Sequence, residues 1–117
     1  MSEKALWEML KKAPGIYGFR LERCCVPGIP DCLIRVNGQI MLVELKDWSK
    51  KPYHPLSVAQ LNFISEYGGR VLVDFGSGLV GVLRPPGLKP LTEGNKIWAV
   101  QHAIVTRKKD FRGEILL

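Results

Sequence analysis

The sequence predicts an α/β domain with a central mixed β-sheet flanked by helices, in the order αβββαβ. Two observations carry this. Asn37-Gly38 separates two apolar runs, the strongest short-range signal for a β-hairpin with a type I′ turn. Between Ile40 and Phe75 the pattern reads strand, helix, strand, and a right-handed crossover of that kind makes its two strands parallel. A hairpin and a crossover that share one strand require a mixed sheet.

The elements follow in order. Ser2 caps a helix from Glu3 to about Ala13, ended by Pro14-Gly15. Leu6, Leu10 and Ala13 recur at helical spacing with Met9 alongside, and Glu3 falls on this stripe, where the helix dipole also favours an acid. Glu8 sits three and four residues before Lys11 and Lys12, as solvated ion pairs do. Ile16 to Val26 reads as a strand in which Tyr17, Phe19 and Leu21 alternate with Gly18, Arg20 and Glu22, broken by Pro27-Gly28. The second hairpin strand, Gln39 to Lys46, is almost continuously apolar before its charged end, as a central strand covered on both faces would be. Asp47 to Pro55 is a polar loop holding Lys50, Lys51, Tyr53 and His54. Ser57 opens a second helix and forms a Ser-x-x-Gln capping box with Gln60. Val58, Leu61, Ile64 and Ser65 form its expected buried stripe, and Gly68-Gly69 closes it. Val71 to Phe75 and Leu79 to Leu83 are strands joined by Gly76-Ser77-Gly78. The stretch Arg84 to Gly87 ends the core at residue 83. Residues 84–117 form a C-terminal extension in which Ile97 to Thr106 reads as a strand by composition and as a helix by length.

A chain of 117 residues is one domain, long enough for a real core and too short for two. Its apolar fraction of 46% and charged fraction of 24% are those of an ordinary water-soluble globule. No apolar run is long enough to span a bilayer, and the N-terminus lacks a signal-peptide pattern, so an intracellular, cytoplasmic protein is expected. Cys24, Cys25 and Cys32 give an odd count with no framework, which fits a reducing compartment and small apolar core residues. With no Cys-x-x-Cys pair and with His54 and His102 standing alone, zinc is not expected. The net charge of +6 favours a polyanion such as nucleic acid as partner.

The chemistry concentrates at the open end of the hairpin. A two-residue turn puts Val36 opposite Gln39, and counting back pairs Cys32 with Val43 and Asp31 with Glu44. Directly opposed side chains share a face, with Cβ atoms roughly 4.5–5.5 Å apart. Lys46 lies on that same face, because the strand period is two. Two carboxylates so placed destabilise a sheet and cannot easily ionise together. A hard cation such as Mg²⁺ removes the conflict. A salt-bridged strand end, Glu44 with Lys46 and Asp31 in a turn after Pro30, removes it too.

Gly28-Ile29-Pro30-Asp31, then Glu44-Leu45-Lys46, then Leu56-Ser57-Val58-Ala59-Gln60 resembles the PD-(D/E)XK nuclease superfamily. Within it the likeness is to the VRR-NUC type, including small stand-alone versions found in bacteriophages. It covers residues 3 to about 75, and the Val-Arg-Arg signature is missing near Gln60, where Gly69-Arg70-Val71 stands after the helix instead. The resemblance implies a restriction-endonuclease-like core. Asp31 and Glu44 would ligate the metal with the backbone carbonyl of Leu45, and Lys46 would activate water and stabilise negative charge. Glu3 would match the family's helix-one acid and Gln60 its helix-two glutamine.

The expected activity is therefore Mg²⁺-dependent endonucleolytic hydrolysis of DNA, with Mn²⁺ as a substitute. Branched or structured DNA is the substrate the family suggests, by nicking or resolution. Lys50, Lys51, Arg107, Lys108 and Lys109 are candidates for backbone contacts, each equally readable as solvated surface. A chain this small covers one scissile bond, so cutting both strands favours a two-fold homodimer. Two readings from other classes stand beside this one: a catalytically silent DNA-binding accessory protein with a nuclease-like fold, and a basic scaffold with no nucleic-acid partner. Intact Asp31, Glu44 and Lys46 speak against the first.

Overall fold

A computed structural model describes residues 2–21, 26–85, 88 and 93–117, with residues 93–95 described by their backbone alone. Six strands form one sheet: β1 (Ile16–Arg20), β2 (Cys32–Val36), β3 (Gln39–Asp47), β4 (Arg70–Gly76), β5 (Leu79–Leu83) and β6 (Ile104–Arg107). Their order across the sheet is their order along the chain. Every neighbouring pair is antiparallel except β3 and β4, which are parallel and joined by helix α2 (Val58–Tyr67). Helix α1 (Glu3–Lys12) precedes the sheet, and α3 (Glu93–His102) lies between β5 and β6.

The hairpin register is the one the turn dictates. Cys32 faces Val43, Leu33 faces Leu42, Ile34 faces Met41, Arg35 faces Ile40 and Val36 faces Gln39. Asn37 and Gly38 both have positive φ, 48° and 77°, as a type I′ turn requires. Because side chains alternate, one face of the sheet carries Cys32, Ile34, Val43, Leu45 and Leu72. It buries them against Leu6, Trp7 and Leu10 of α1 and against Phe111 and Leu116 of the C-terminal segment. The other face carries Val71, Val73 and Phe75, packed with Ile64 of α2, Ala99 of α3, Trp48 and Leu56. The sheet is thus the middle of three layers.

Several details depart from the sequence reading. Strand β1 ends at Arg20, not at Val26; Glu22, Cys24 and Cys25 lie outside the described residues. Tyr17 and Phe19 are 65% and 57% exposed, because β1 is an edge strand and α2 and α3 cover the β4–β5 side. On α2, Ile64 is buried and Leu61 packs beside it, whereas Val58 is 71% exposed and Ser65 is exposed too. One turn of an otherwise short helix is enough to cover the two inner strands, so its first residue projects past the sheet. The ambiguous stretch Ile97 to Thr106 is both things in succession: the end of α3, then β6. The tail also enters the core. Arg70 Nε donates to the Leu116 carbonyl at 2.8 Å and Arg84 Nη2 to the Ile115 carbonyl at 3.1 Å, which fixes the last residues under β2 and α1. Among the described residues, no helix is long and apolar enough to cross a membrane.

Candidate active site

Asp31 lies one residue before β2, at the point where the hairpin ladder gives out. The flanking pair of a two-residue turn is hydrogen-bonded, and bonded pairs then recur at every second residue. Val36–Gln39, Ile34–Met41 and Cys32–Val43 therefore bond, and the next pair in the series is Pro30 with Leu45. Proline has no N–H to give the Leu45 carbonyl. The Leu45 N–H donates to the Asp31 carboxylate, with Oδ2 accepting at 2.8 Å. Pro30 thus ends the ladder, the Asp31 side chain takes the Leu45 N–H, and the Leu45 carbonyl receives no N–H from residue 30. The preceding loop is held in place by Gly28, where a Cβ would overlap the Ala59 carbonyl of α2; its φ of +79° also favours glycine.

Glu44 projects from β3 on the same face and is 2% exposed. Among the described residues its Oε2 is buried with no hydrogen-bond partner. Burial is the main cause that pushes its carboxyl up to about 9; the hydrogen bond and charge of Asp31 add to this, Lys46 opposes it and Glu3 contributes a little more. Burial beside a second acid thus favours the protonated form of Glu44, and a bound cation would relieve the same conflict. Arg20 Nη2 stands 4.0 Å from Asp31 Oδ1, a loose partner at the rim.

Lys46, two residues beyond Glu44, is half-buried at the wall of a cleft of about 640 Å³ that Glu3, Asp47, Lys50, Lys51 and His54 also line. Glu3 reaches this cleft from the first turn of α1, around the end of β3. Its carboxyl is raised by partial burial first and by Asp31 second, with Lys46 and Arg20 acting the other way. The loop that carries Lys50, Lys51 and His54 is pinned by the Trp48 indole N–H, which donates to the His54 carbonyl at 2.9 Å. Asp47 Oδ1 accepts from Ser49 Oγ at 2.6 Å in the same loop.

The fold therefore brings together Asp31, Glu44, Lys46 and Glu3, with Lys50 and Lys51 beside them. Gln60 is placed differently: its Oε1 accepts from the Ser57 N–H at 2.8 Å and its own N–H donates to Ser57 Oγ at 3.1 Å, the complete capping box. Its amide oxygen serves the helix start. Of the basic C-terminal cluster, Arg107 and Lys109 are exposed on the far edge strand and the turn after it. Lys108 is turned inward, 3.0 Å from Oδ2 of the fully buried Asp74. The sequence reading missed Asp74, although an acid inside the apolar run Val71 to Phe75 is itself a signal that a buried cation or hydrogen bonds await it.

Among the described residues there is no group of three or more His, Cys, Asp or Glu side chains placed to hold a metal. Two carboxylates and a carbonyl fit an ion that retains water and takes oxygen ligands from its substrate, as Mg²⁺ does. The orphaned Glu44 oxygen is an acceptor with the right chemistry for it.

The fold is similar to that of Hjc, a Holliday junction resolvase from the archaeal hyperthermophile Archaeoglobus fulgidus. The superposition covers 82% of this chain and 89% of that one, with a TM-score of 0.55 and 17% sequence identity. At that identity the likeness is one of fold. No protein-family model and no curated protein matches the chain.

Proposed function

We propose that the protein is a metal-dependent DNA endonuclease of the PD-(D/E)XK superfamily, of the small VRR-NUC-like kind, acting on branched or otherwise structured DNA. The observation that carries this reading is the buried Glu44 oxygen, without a donor among the described residues, set beside Asp31 at the point where the ladder ends. A buried oxygen left without a donor costs roughly 1–3 kcal/mol, and a bound cation would remove that cost. Likeness of fold to a resolvase supports the choice of substrate.

Asp31, Glu44 and the Leu45 carbonyl would hold the metal. A bound Mg²⁺, or Mn²⁺ in its place, supplies Lewis acidity at the phosphoryl oxygen and lowers the pKa of water. Lys46 places a compact positive charge where the phosphate gains negative charge. Glu3, at the mouth of the cleft, accepts a hydrogen bond from the attacking water and keeps it in line. Lys50 and Lys51 neutralise flanking phosphates, and the tether from Trp48 to His54 keeps their loop in place. Gln60 assists by fixing the first turn of α2 and, through Ala59, the Gly28 loop that leads to Asp31. Cleavage of both strands would use a two-fold homodimer.

The test is cleavage of supercoiled, nicked, single-stranded and four-way-junction DNA with and without Mg²⁺ or Mn²⁺. Wild type is expected to cut with metal only, and Asp31→Asn and Lys46→Ala to be silent while still binding DNA. Equal cutting by the variants, or metal-independent cutting, rejects the site. Binding without cutting by wild type under all conditions identifies the accessory protein instead.

A further inference from the structure

One sheet face continues beyond the carboxylates, and among the described residues Tyr17, Phe19, Arg35 and Ile40 on it are exposed. The register places Tyr17 in a row with Arg35 and Ile40, and Phe19 in a row with Leu33 and Leu42. By strand alternation these two rows lie on the same face as Asp31, Glu44 and Lys46. The Phe19 row is roughly 7 Å from the carboxylate row and the Tyr17 row roughly 14 Å, at two residues per step. Tyr17 and Phe19 are the exposed aromatics of this strip, and Ile40 is exposed with them. Its cation is Arg35, whose guanidinium stands 5.3 Å from the centre of the Tyr17 ring.

This combination decides the occupant. A purely apolar strip would suit a second protein surface. Here the Tyr17 ring is backed by Arg35, the chain carries +6, and the strip runs in line with Lys46 and the Lys50–Lys51 loop on the other side of the carboxylates. A base stacks on an aromatic face or a guanidinium plane while its phosphate meets the cation. We propose that Tyr17, Phe19 and Arg35 form a stacking platform for unpaired nucleotides next to the scissile phosphate, so that the favoured substrate carries splayed or single-stranded bases on that side of the cut. The proposal rests on the nuclease reading and names the substrate feature it selects.

A stacked ring contributes roughly 1–3 kcal/mol per base, or about five- to a hundredfold in affinity. The experiment measures binding of a fluorescent oligo-dT strand and of a duplex of equal length, in EDTA so that nothing is cut. It compares wild type, Tyr17→Ala/Phe19→Ala, Arg35→Ala and Lys50→Ala/Lys51→Ala. The double ring variant changes exposed side chains only and is checked for an unchanged circular-dichroism melt; a second variant, Tyr17→Leu/Phe19→Leu, retains apolar strand residues should the first unfold. Expected are a loss of tenfold or more in single-strand affinity for the ring variants and little change on duplex. The loop variant should lose affinity for both in a salt-dependent manner. A 2-aminopurine placed in the strand should be quenched by wild type and not by the ring variants. Unchanged single-strand binding by both ring variants overturns the platform while leaving the nuclease reading intact, provided wild type still cuts DNA. Conversion of a dimer to a monomer by the ring variants in sedimentation overturns it as well and identifies the strip as a self-association surface. Failure of wild type to bind either DNA overturns the platform and the nuclease reading together.

Discussion

Two buried acids on adjacent strands behave in opposite ways. Asp74 on β4 is 0% exposed, its Oδ1 accepts from the Gly76 N–H at 2.8 Å, and the Lys108 ammonium lies 3.0 Å from Oδ2. Burial works against ionisation of Asp74, but the Gly76 bond and the Lys108 charge outweigh it and hold its pKa below the usual value. Glu44 on β3 is as deeply buried, faces a second acid, and is pushed up to about 9. The fold supplied a counter-charge in one place and withheld it in the other. Burial alone therefore does not set the direction in which an acid shifts; the charges that face it do.

The comparison can be broken in four places, taken from the largest expected effect. Asp31→Asn and Glu44→Gln should each lower the cleavage rate on the order of 10³-fold, as loss of a principal electrostatic group does, with melting curves that show the fold retained; a loss below tenfold in a steady-state cleavage assay would put the catalytic centre elsewhere. Asp74→Asn should destabilise by about 3 kcal/mol, because it leaves Lys108 against a neutral buried group. Urea unfolding measures this, and the residual folded protein should cut normally. In addition the contribution of Asp74 is complete above its ordinary value of 3.8 and fades as the pH falls below it, since its native pKa is depressed.

Glu44 has the reverse pH dependence. In metal-free buffer the native state holds a proton that the unfolded chain releases above 4.5, so stability should fall as pH rises from there towards about 9. Glu44→Gln should flatten that slope and raise the melting temperature at pH 8 by several degrees, as about 1 kcal/mol does in a domain of this size. A scan showing equal slopes for wild type and variant would mean that the fold does not hold Glu44 protonated. The smallest effect is at Gln60. Gln60→Ala should cost about 0.5–1 kcal/mol through the capping box, and Gln60→Glu, which keeps the box, should restore it. Cleavage that follows the folded fraction in both variants would assign Gln60 to the helix start alone.

The hairpin end was legible because a type I′ turn leaves no freedom of register: once Asn37-Gly38 is recognised, Asp31, Glu44 and Lys46 fall on one face. Helix α2 and the parallel pairing of β3 with β4 were legible for a similar reason, a capping box and a handedness rule that are local. What local pattern cannot show is which element covers which face. Tyr17 and Val58 are apolar in the right alternation and still project into solvent, because coverage depends on where distant helices dock. Lys108 sits in a basic run that resembles phosphate-binding surface, and only the pairing of β6 with β5, which brings the Lys108 N–H to the Gly78 carbonyl, turns it towards Asp74. The arrival of Glu3 at the cleft was expected from a family likeness, not from any spacing to the hairpin.

The sheet order has a consequence for assembly. Each strand lies beside the one made just before it, so the sheet can grow by accretion as the chain emerges, starting from a tight hairpin and needing a single helical crossover. Such nearest-neighbour topologies close few long loops and fold fast for their size. Both carboxylates belong to that earliest hairpin, whereas Phe111 and Leu116, which seal the face under α1, come last. During synthesis the acid pair would exist on an open sheet before its lower layer is closed, and a chain interrupted before residue 111 would carry a formed hairpin over an unsealed, aggregation-prone face.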